Sequence, residues 1–529
     1  MSNGNMKRRR IAVGLVVALL LGVAGCKTYG WWLKHQLDRY RAQLTAHGEK
    51  LTLSDLLADH KVPDQNGAGA FLSAIPHLNT RGVVGTNAPP MMRLVAPGKA
   101  LIGWQVPQLV YGGQRATNRW EDLAADVDAS REGFARLDEA AAEPVLDFDL
   151  NYAQGFTLML PHLAPLKGAA QILAAAAMLD LHRGDAAAAA RRLHTLLGLV
   201  RGMQDERLVI SQLVRMAMFQ IAVAAIWEYT QSPAATEADL QMLQADLAAQ
   251  DFSGPVEQSF EMERAMSGMT IRYFRDKGGI YDMYASGSGA APASTNVSAV
   301  LARNAEKLLS PREIRKTSNE ILWQSALSYE DERRALRSMQ VLIECARAAA
   351  SNQPYQITLS NQQARLAALG WLVEPDDDSS PSPFGGENDS LASIRNAFAG
   401  AALSLQKVLN KVEATEINRA LAISAIALKR HQLQHGAWPE TLMALVPEYL
   451  PAVPRDPEDG HPLRYRRSAE GGFVLYSVGT NGTDDGGDPN RDSARARPII
   501  SAGRDWVWPQ PATAAEIRAW ETNLAVRGW

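Results

Sequence analysis

Three apolar stretches of helical period follow one another between residues 164 and 229, with only short breaks between them. The first, 164–181, stops at Gly184-Asp185, where the glycine supplies a turn and the aspartate a helix N-cap. In the second, which reaches Arg201, Ala189, Leu193, Leu196, Leu197 and Val200 recur on one face. The third, 206–229, is apolar around most of its circumference, so it needs cover on every side and belongs at the centre of a core. Long helices joined by short connections become antiparallel neighbours. This region commits the chain to a mainly α fold built around a large multi-helix domain.

The helical signal continues beyond it. Thr236-Glu237-Ala238-Asp239 opens a helix in capping-box fashion, 256–275 follows, and helical patterns resume at 311–326, 330–351 and 391–435. The hairpin at 164–201 resembles a tetratricopeptide-type pair, which implies stacked helical hairpins, although no second copy recurs at a fixed period. Composition divides the remainder. Residues 61–118 are loop-rich, with room for one hairpin between 80 and 118, and the helical domain spans 119–373. A Gly, Ala and Ser stretch at 285–297 interrupts that domain. The acidic, Pro/Ser-rich segment 374–390 cannot support a core and reads as a linker or exposed loop. Residues 391–495 form a helix plus a small α+β module, and 496–529 a Trp-rich tail. In that tail Trp506, Trp508, Trp520 and Trp529 either present a sugar- or partner-binding surface or pack the C-terminus back onto the domain.

At the N-terminus, Lys7, Arg8, Arg9 and Arg10 precede an apolar run over 11–25. The run is shorter than the roughly 20 residues of a spanning helix and fits a signal-peptide core. It closes on Val23-Ala24-Gly25-Cys26, which resembles the bacterial lipoprotein processing box. That resemblance implies a cleaved 1–25 and a lipid on Cys26. The alternative is an uncleaved anchor whose helix continues through Cys26, with Trp31 and Trp32 as an interfacial aromatic belt. Both readings put the rest of the chain outside the cytoplasmic membrane, anchored in the cell envelope and facing the periplasm or exterior. Residues 26–60 then form a membrane-proximal helix, with Leu33, Leu37, Tyr40 and Leu44 at helical spacing. The only other cysteine, Cys345, sits in an apolar helical pattern as a core residue. A net charge of −3 with acids and bases interleaved leaves no basic footprint for nucleic acid.

The C-terminal module has its own chemistry. Gly436 suits a left-handed helix cap, and Pro439 keeps the helix from resuming. Residues 463–466 and 472–478 alternate like two paired strands with a turn at 467–471. An Asp/Gly loop follows, carrying Asn481, Asp484, Asp485 and Asp488 among four glycines. Ca²⁺ takes six to eight oxygens from carboxylates, amides and backbone carbonyls on a chain that turns tightly, which makes these four residues candidate ligands, Asp484 and Asp488 foremost. The spacing is not that of an EF-hand, and an ordinary surface turn is the alternative. The order of helix, short amphipathic segment, hairpin and Asp/Gly loop resembles the globular domain of type II secretion major pseudopilins. That resemblance implies a short antiparallel sheet and a bound Ca²⁺. The chain departs from the family at its N-terminus. Gly155-Phe156-Thr157-Leu158 copies the pseudopilin cleavage site only superficially, deep in the chain and followed by Pro161.

Enzymatic signals are sparse. The sequence has no H-E-x-x-H, no Gly-x-Ser-x-Gly, no Walker loop and no C-x-x-C. His431 and His435 share a helix face without an adjacent acid, and Glu257 and Glu261 share another with Glu263 and Arg264 nearby. No catalytic residue is assigned. The expected function is a membrane-anchored envelope protein with a structural or interaction role and a protein partner in the envelope. Two alternatives stand beside it, a periplasmic hydrolase with a site in the helical domain and an accessory component of a secretion or pilus machine.

Overall fold

The computed structural model describes residues 3–58, 61–86, 91–109, 118–280, 311–370, 397–468, 471–490 and 504–526. The stretches 285–297 and 374–390, and Trp529, lie outside the described residues. Helix α1 (Asn3–Ala46) comes first, then α2 (Leu53–Leu57), α3 (Ala68–Ala74) and α4 (Val83–Thr86). A hairpin of β1 (Arg93–Ala96) and β2 (Lys99–Leu101) precedes α5 (Trp120–Ala129) and α6 (Arg131–Ala142). The central helices are α7 (Leu163–His182), α8 (Ala186–Gly202), α9 (Val209–Thr230), α10 (Glu237–Ala248) and α11 (Ser253–Lys277). Next, α12 (Pro311–Leu322) and α13 (Ser328–Ala350) form one rod interrupted by a π turn at Trp323–Leu327. They are followed by α14 (Tyr355–Ala368), α15 (Ala397–Ser404) and α16 (Val408–His435). Strands β3 (Arg464–Arg467), β4 (Phe473–Ser477), β5 (Trp506–Val507) and β6 (Gln510–Pro511) lead to α17 (Ala514–Val526). The fold is mainly α, with two small sheets.

Local chemistry explains the helix boundaries. The Asp185 carboxylate accepts the Ala188 N–H at 2.9 Å and starts α8, just after Gly184 turns the chain at φ 81°. Thr236 caps α10 by accepting the Asp239 N–H at 3.2 Å. Gly436 adopts φ 71° and donates to the Gln432 carbonyl at 2.9 Å, which ends α16. The N-terminal helix begins before the apolar run and passes through Cys26 without a break.

Helix α9 is the centre. It is long and apolar enough to cross a membrane by length and composition, yet α7, α8, α11 and α16 pack around it and Ile210 is its one exposed residue. Alanines make the close approach of α7 and α8 feasible, since Ala169, Ala170, Ala174, Ala177, Ala189 and Ala190 are all buried. At Gly198 a Cβ would run into Ala141, so α8 meets α6 nearly backbone to backbone. One apolar cluster extends from Phe71 to Trp508, and the segment boundaries drawn from composition coincide with no break in it.

The tail is woven into this body. Strand β4 pairs antiparallel with β3 (Tyr465 opposite Leu475) and on its other edge with β5 (Tyr476 opposite Val507). Three residues later β6 pairs parallel with β2, far earlier in the chain. Trp506 and Trp508 are buried, so these two pack inward instead of lining an open surface. Trp227 of α9 donates its indole N–H to the Pro509 carbonyl at 2.9 Å, tying the strap to the core. Replacing Trp227 by Phe keeps most of the ring and strands that carbonyl. The expected loss is about 1–3 kcal/mol, read as a lower urea midpoint with unchanged slope. An unchanged midpoint would remove the strap from the stabilising contacts.

Candidate functional site

The N-terminus of α11, the turn between α13 and α14, the face of α16 and the loop 454–460 enclose a cavity of about 360 Å³. It lies where the helical body meets the C-terminal module. Asp251 accepts the N–H groups of Ser253 at 3.1 Å and Gly254 at 3.2 Å, opening α11. The Ser253 and Tyr355 hydroxyls share a hydrogen bond at 2.9 Å. Glu416 takes the Phe252 N–H at 3.1 Å and pairs with Arg419 at 2.7 Å. The first turn of α14 donates across the junction, Tyr355 N–H to the Pro457 carbonyl and Gln356 N–H to the Glu458 carbonyl.

The module side is organised by Asp456, which is fully buried. Its carboxylate accepts from Ser477 Oγ (2.7 Å), Val478 N–H (3.0 Å), Glu458 N–H (3.1 Å) and Arg464 Nη1 (3.0 Å). Four donors around one carboxylate lock the loop 454–460 to both strands. Glu458 and Glu413 of α16, both buried, meet side chain to side chain. Burial raises the Glu458 pKa, and the negative charges of Asp456 and Asp459 add to the rise. Two carboxyls in contact inside a protein do not both ionise cheaply.

Other buried ionisable groups hold the helical body together. Glu228, fully buried on α9, accepts Met92 N–H at 2.8 Å and Gly103 N–H at 3.0 Å, pinning the β1–β2 hairpin onto the core. Burial pushes its pKa up to about 8 against those bonds. Arg215 donates to the Val200 and Asp251 carbonyls at 2.8 and 2.7 Å and lies over the Phe252 ring. His162, Glu206 and Ser211 form a buried row, but Glu206 sits in the middle, taking the Ser211 hydroxyl and lying 3.0 Å from His162 Nε2. A nucleophile relay needs the imidazole between hydroxyl and acid, so this row does not match that arrangement.

The residues singled out from sequence land as follows. Asp484 accepts from the Tyr476 hydroxyl (2.8 Å) and the Gly486 N–H (3.0 Å), and Asp485 from Asn481 Nδ2 (2.8 Å). Asp488 accepts from both nitrogens of Asn490. The loop itself is gathered by a residue that the sequence reading passed over. Asp505, fully buried, accepts the N–H groups of Asp485, Gly487 and Asp488. Gly479, Gly482, Gly486 and Gly487 all have positive φ, which explains the glycines there. The four carboxylates point to separate donors, and among the described residues no three His, Cys, Asp or Glu side chains gather as a metal-holding group. His431 and His435 lie ring against ring, 4.3 Å between centroids, bonded to the Ala437 carbonyl and the Tyr449 hydroxyl. Glu257 and Glu261 converge on Arg347, while Arg264 reaches Glu49 and Gln340. Cys345 is buried and Cys26 exposed.

Comparison with family models, with curated proteins and with solved structures finds no match.

Both raised carboxyls titrate in one sense. A group whose folded pKa lies above its unfolded value stabilises the fold fully below the unfolded pKa, near 4.3 for Glu, and loses that contribution as pH rises through the folded value. The urea midpoint should therefore fall as pH climbs from the unfolded value toward about 8, the folded value of Glu228, and level off above it. Glu228→Gln, whose Oε1 still accepts both N–H groups, should flatten that fall. Glu458→Gln, which removes the second raised carboxyl, should flatten it further. A midpoint as flat in the wild type as in both variants would show these carboxyls ionise freely.

Proposed function

We propose that this chain is a membrane-anchored protein of the cell envelope with a structural or interaction role. One observation carries the reading. In the first half of α1 every residue whose side chain is described, Val13, Val17, Leu21 and 24–29 among them, is exposed, and the apolar rod stands clear of the body until Gly30. A helix whose described apolar side chains there bury nothing against its own fold needs another apolar environment, and a bilayer supplies it. The non-enzymatic part of the reading is supported by how the buried acids are used. Asp456, Glu228 and Asp505 each hold several backbone N–H groups, which is the work of fastening loops.

The hydrolase alternative has the junction cavity in its favour, with the Ser253–Tyr355 pair on one wall and Asp456 on another. The secretion-accessory alternative leans on the pseudopilin-like order of α16, hairpin and Asp/Gly loop and on the tetratricopeptide-like α7–α8 hairpin. Full-length protein expressed in a bacterial host should pellet with membranes, resist carbonate and be released by detergent. Cys26→Ser should abolish fatty-acid labelling and leave an uncleaved precursor if Cys26 carries lipid. If α1 is a signal anchor, the wild type takes no label and keeps residues 1–25. Recovery of the full chain in the soluble fraction would overturn the anchoring reading.

Calcium at the Asp/Gly loop belongs to the same proposal. An ion bound there draws Asp484 from Tyr476 and Asp488 from Asn490, and it stabilises only the folded state. At about a hundred times Kd this amounts to about 2.7 kcal/mol. The expected result is a higher melting temperature in millimolar Ca²⁺ than in chelator, erased by Asp484→Ala with Asp488→Ala. Melting indifferent to Ca²⁺ leaves Asp505 as the whole explanation of the loop.

A further inference from the structure

The place where α1 leaves the body has a second apolar element beside it. From Gly30 onward α1 runs alongside the π turn and α13 in the same direction. A Cβ at Gly30 would strike the Ser325 carbonyl, Arg41 pairs with Glu332, and Glu49 accepts from Gln340 Nε2 at 2.9 Å. Before Gly30 the two rods part, because the described α1 side chains there are exposed while α12 continues on the other side of the π turn. A π turn is a common place for a helix axis to change direction.

Helix α12 is amphipathic by register. Ser318 and Ile321 are exposed on one sector, and Leu322 beside them packs on the small core around Phe274 and Phe398. Its acidic side turns toward the body, since Glu320 accepts the Gly279 N–H. Ile321 is 58% exposed on the helix, one turn before the Ser325 that Gly30 touches. Around the same end Tyr29, Trp31 and Trp32 of α1 are exposed, as is Tyr273. The residue after Tyr273, Phe274, packs on Trp323 and Phe398 in a small satellite core under α12.

We infer that this end of the molecule rests on the bilayer, with α12 lying in the headgroup layer as an interfacial helix beside the point where α1 enters. The inference rests on the anchoring reading. Gly30, where the body begins, is four residues beyond Cys26. That is about 6 Å of helix, too short for a stalk. Whether the lipid hangs on Cys26 or the helix spans, the body is held against the headgroups, and exposed Ile, Tyr and Trp side chains there suit that layer.

The test uses full-length protein in phosphatidylcholine–phosphatidylglycerol vesicles containing a phospholipid with a photoactivatable diazirine near the headgroup. After flotation and irradiation, peptide mass spectrometry should find lipid adducts on 311–322 and on the peptide bearing Tyr273, as well as on α1. Ile321→Asp should lose the α12 adducts and keep those on α1, with an unchanged circular dichroism spectrum. Adducts confined to α1 on floating vesicles would overturn this inference and leave the anchor standing. Protein that fails to float overturns the anchor, and this inference with it.

Discussion

The structure depends on covering α9. For a helix apolar around most of its circumference one packed face is not enough, because each side left in water forgoes about 25 cal/mol per Å² of apolar area. Here α7, α8, α11 and α16 supply the cover, and the hairpin and the tail close the C-terminal end. The small residues of α7 and α8 follow from that demand, since several helices can crowd one axis only if their contact faces are thin. So does the fate of the C-terminal module. It shares the core cluster with the helical body instead of hanging from it.

Covering one helix with segments from all over the chain brings loops inside, and loops carry N–H groups that water can no longer satisfy. The molecule meets this with buried carboxylates. Glu228 takes the hairpin, Asp456 the loop between α16 and the strands, Asp505 the Asp/Gly turn, and Asp331 the first N–H groups of α15. Each such acid suffers a desolvation penalty that its N–H donors partly offset. Asp331 and Glu228 show the balance, burial lifting them to about 7 and about 8 in spite of the bonds they accept. Glu458, beside Glu413, is pushed up by the same burial, and the negative charges of Asp456 and Asp459 add to the rise.

Against this closed interior, the two elements at the amino-terminal end stand out. The described apolar side chains in the first half of α1, Val13, Val17 and Leu21, and Ile321 of α12 are exposed. That exposure is what the proposed bilayer contact rests on.

Sequence alone determined what depends on neighbours within a few residues. Asp185, Thr236 and Gly436 mark their helix ends because a cap is made with an N–H or carbonyl two to four positions away. The mainly α class, the antiparallel α7–α8 hairpin and the β3–β4 pair were legible for the same reason, since period and turn chemistry are local. What joins remote segments was decided only by the tertiary structure. A glutamate at position 228 reads the same on a solvated helix as on a buried one, and its partner Met92 is 136 residues away. Asp505 lies beyond the loop it gathers, so the loop's own aspartates drew attention as ligands while the carboxylate that shapes it did not. The same holds for the tail, whose strands are two residues each and show no alternation until β4 and β2 supply their partners. Burial and pairing between distant segments are properties of the packed molecule, and no local pattern encodes them.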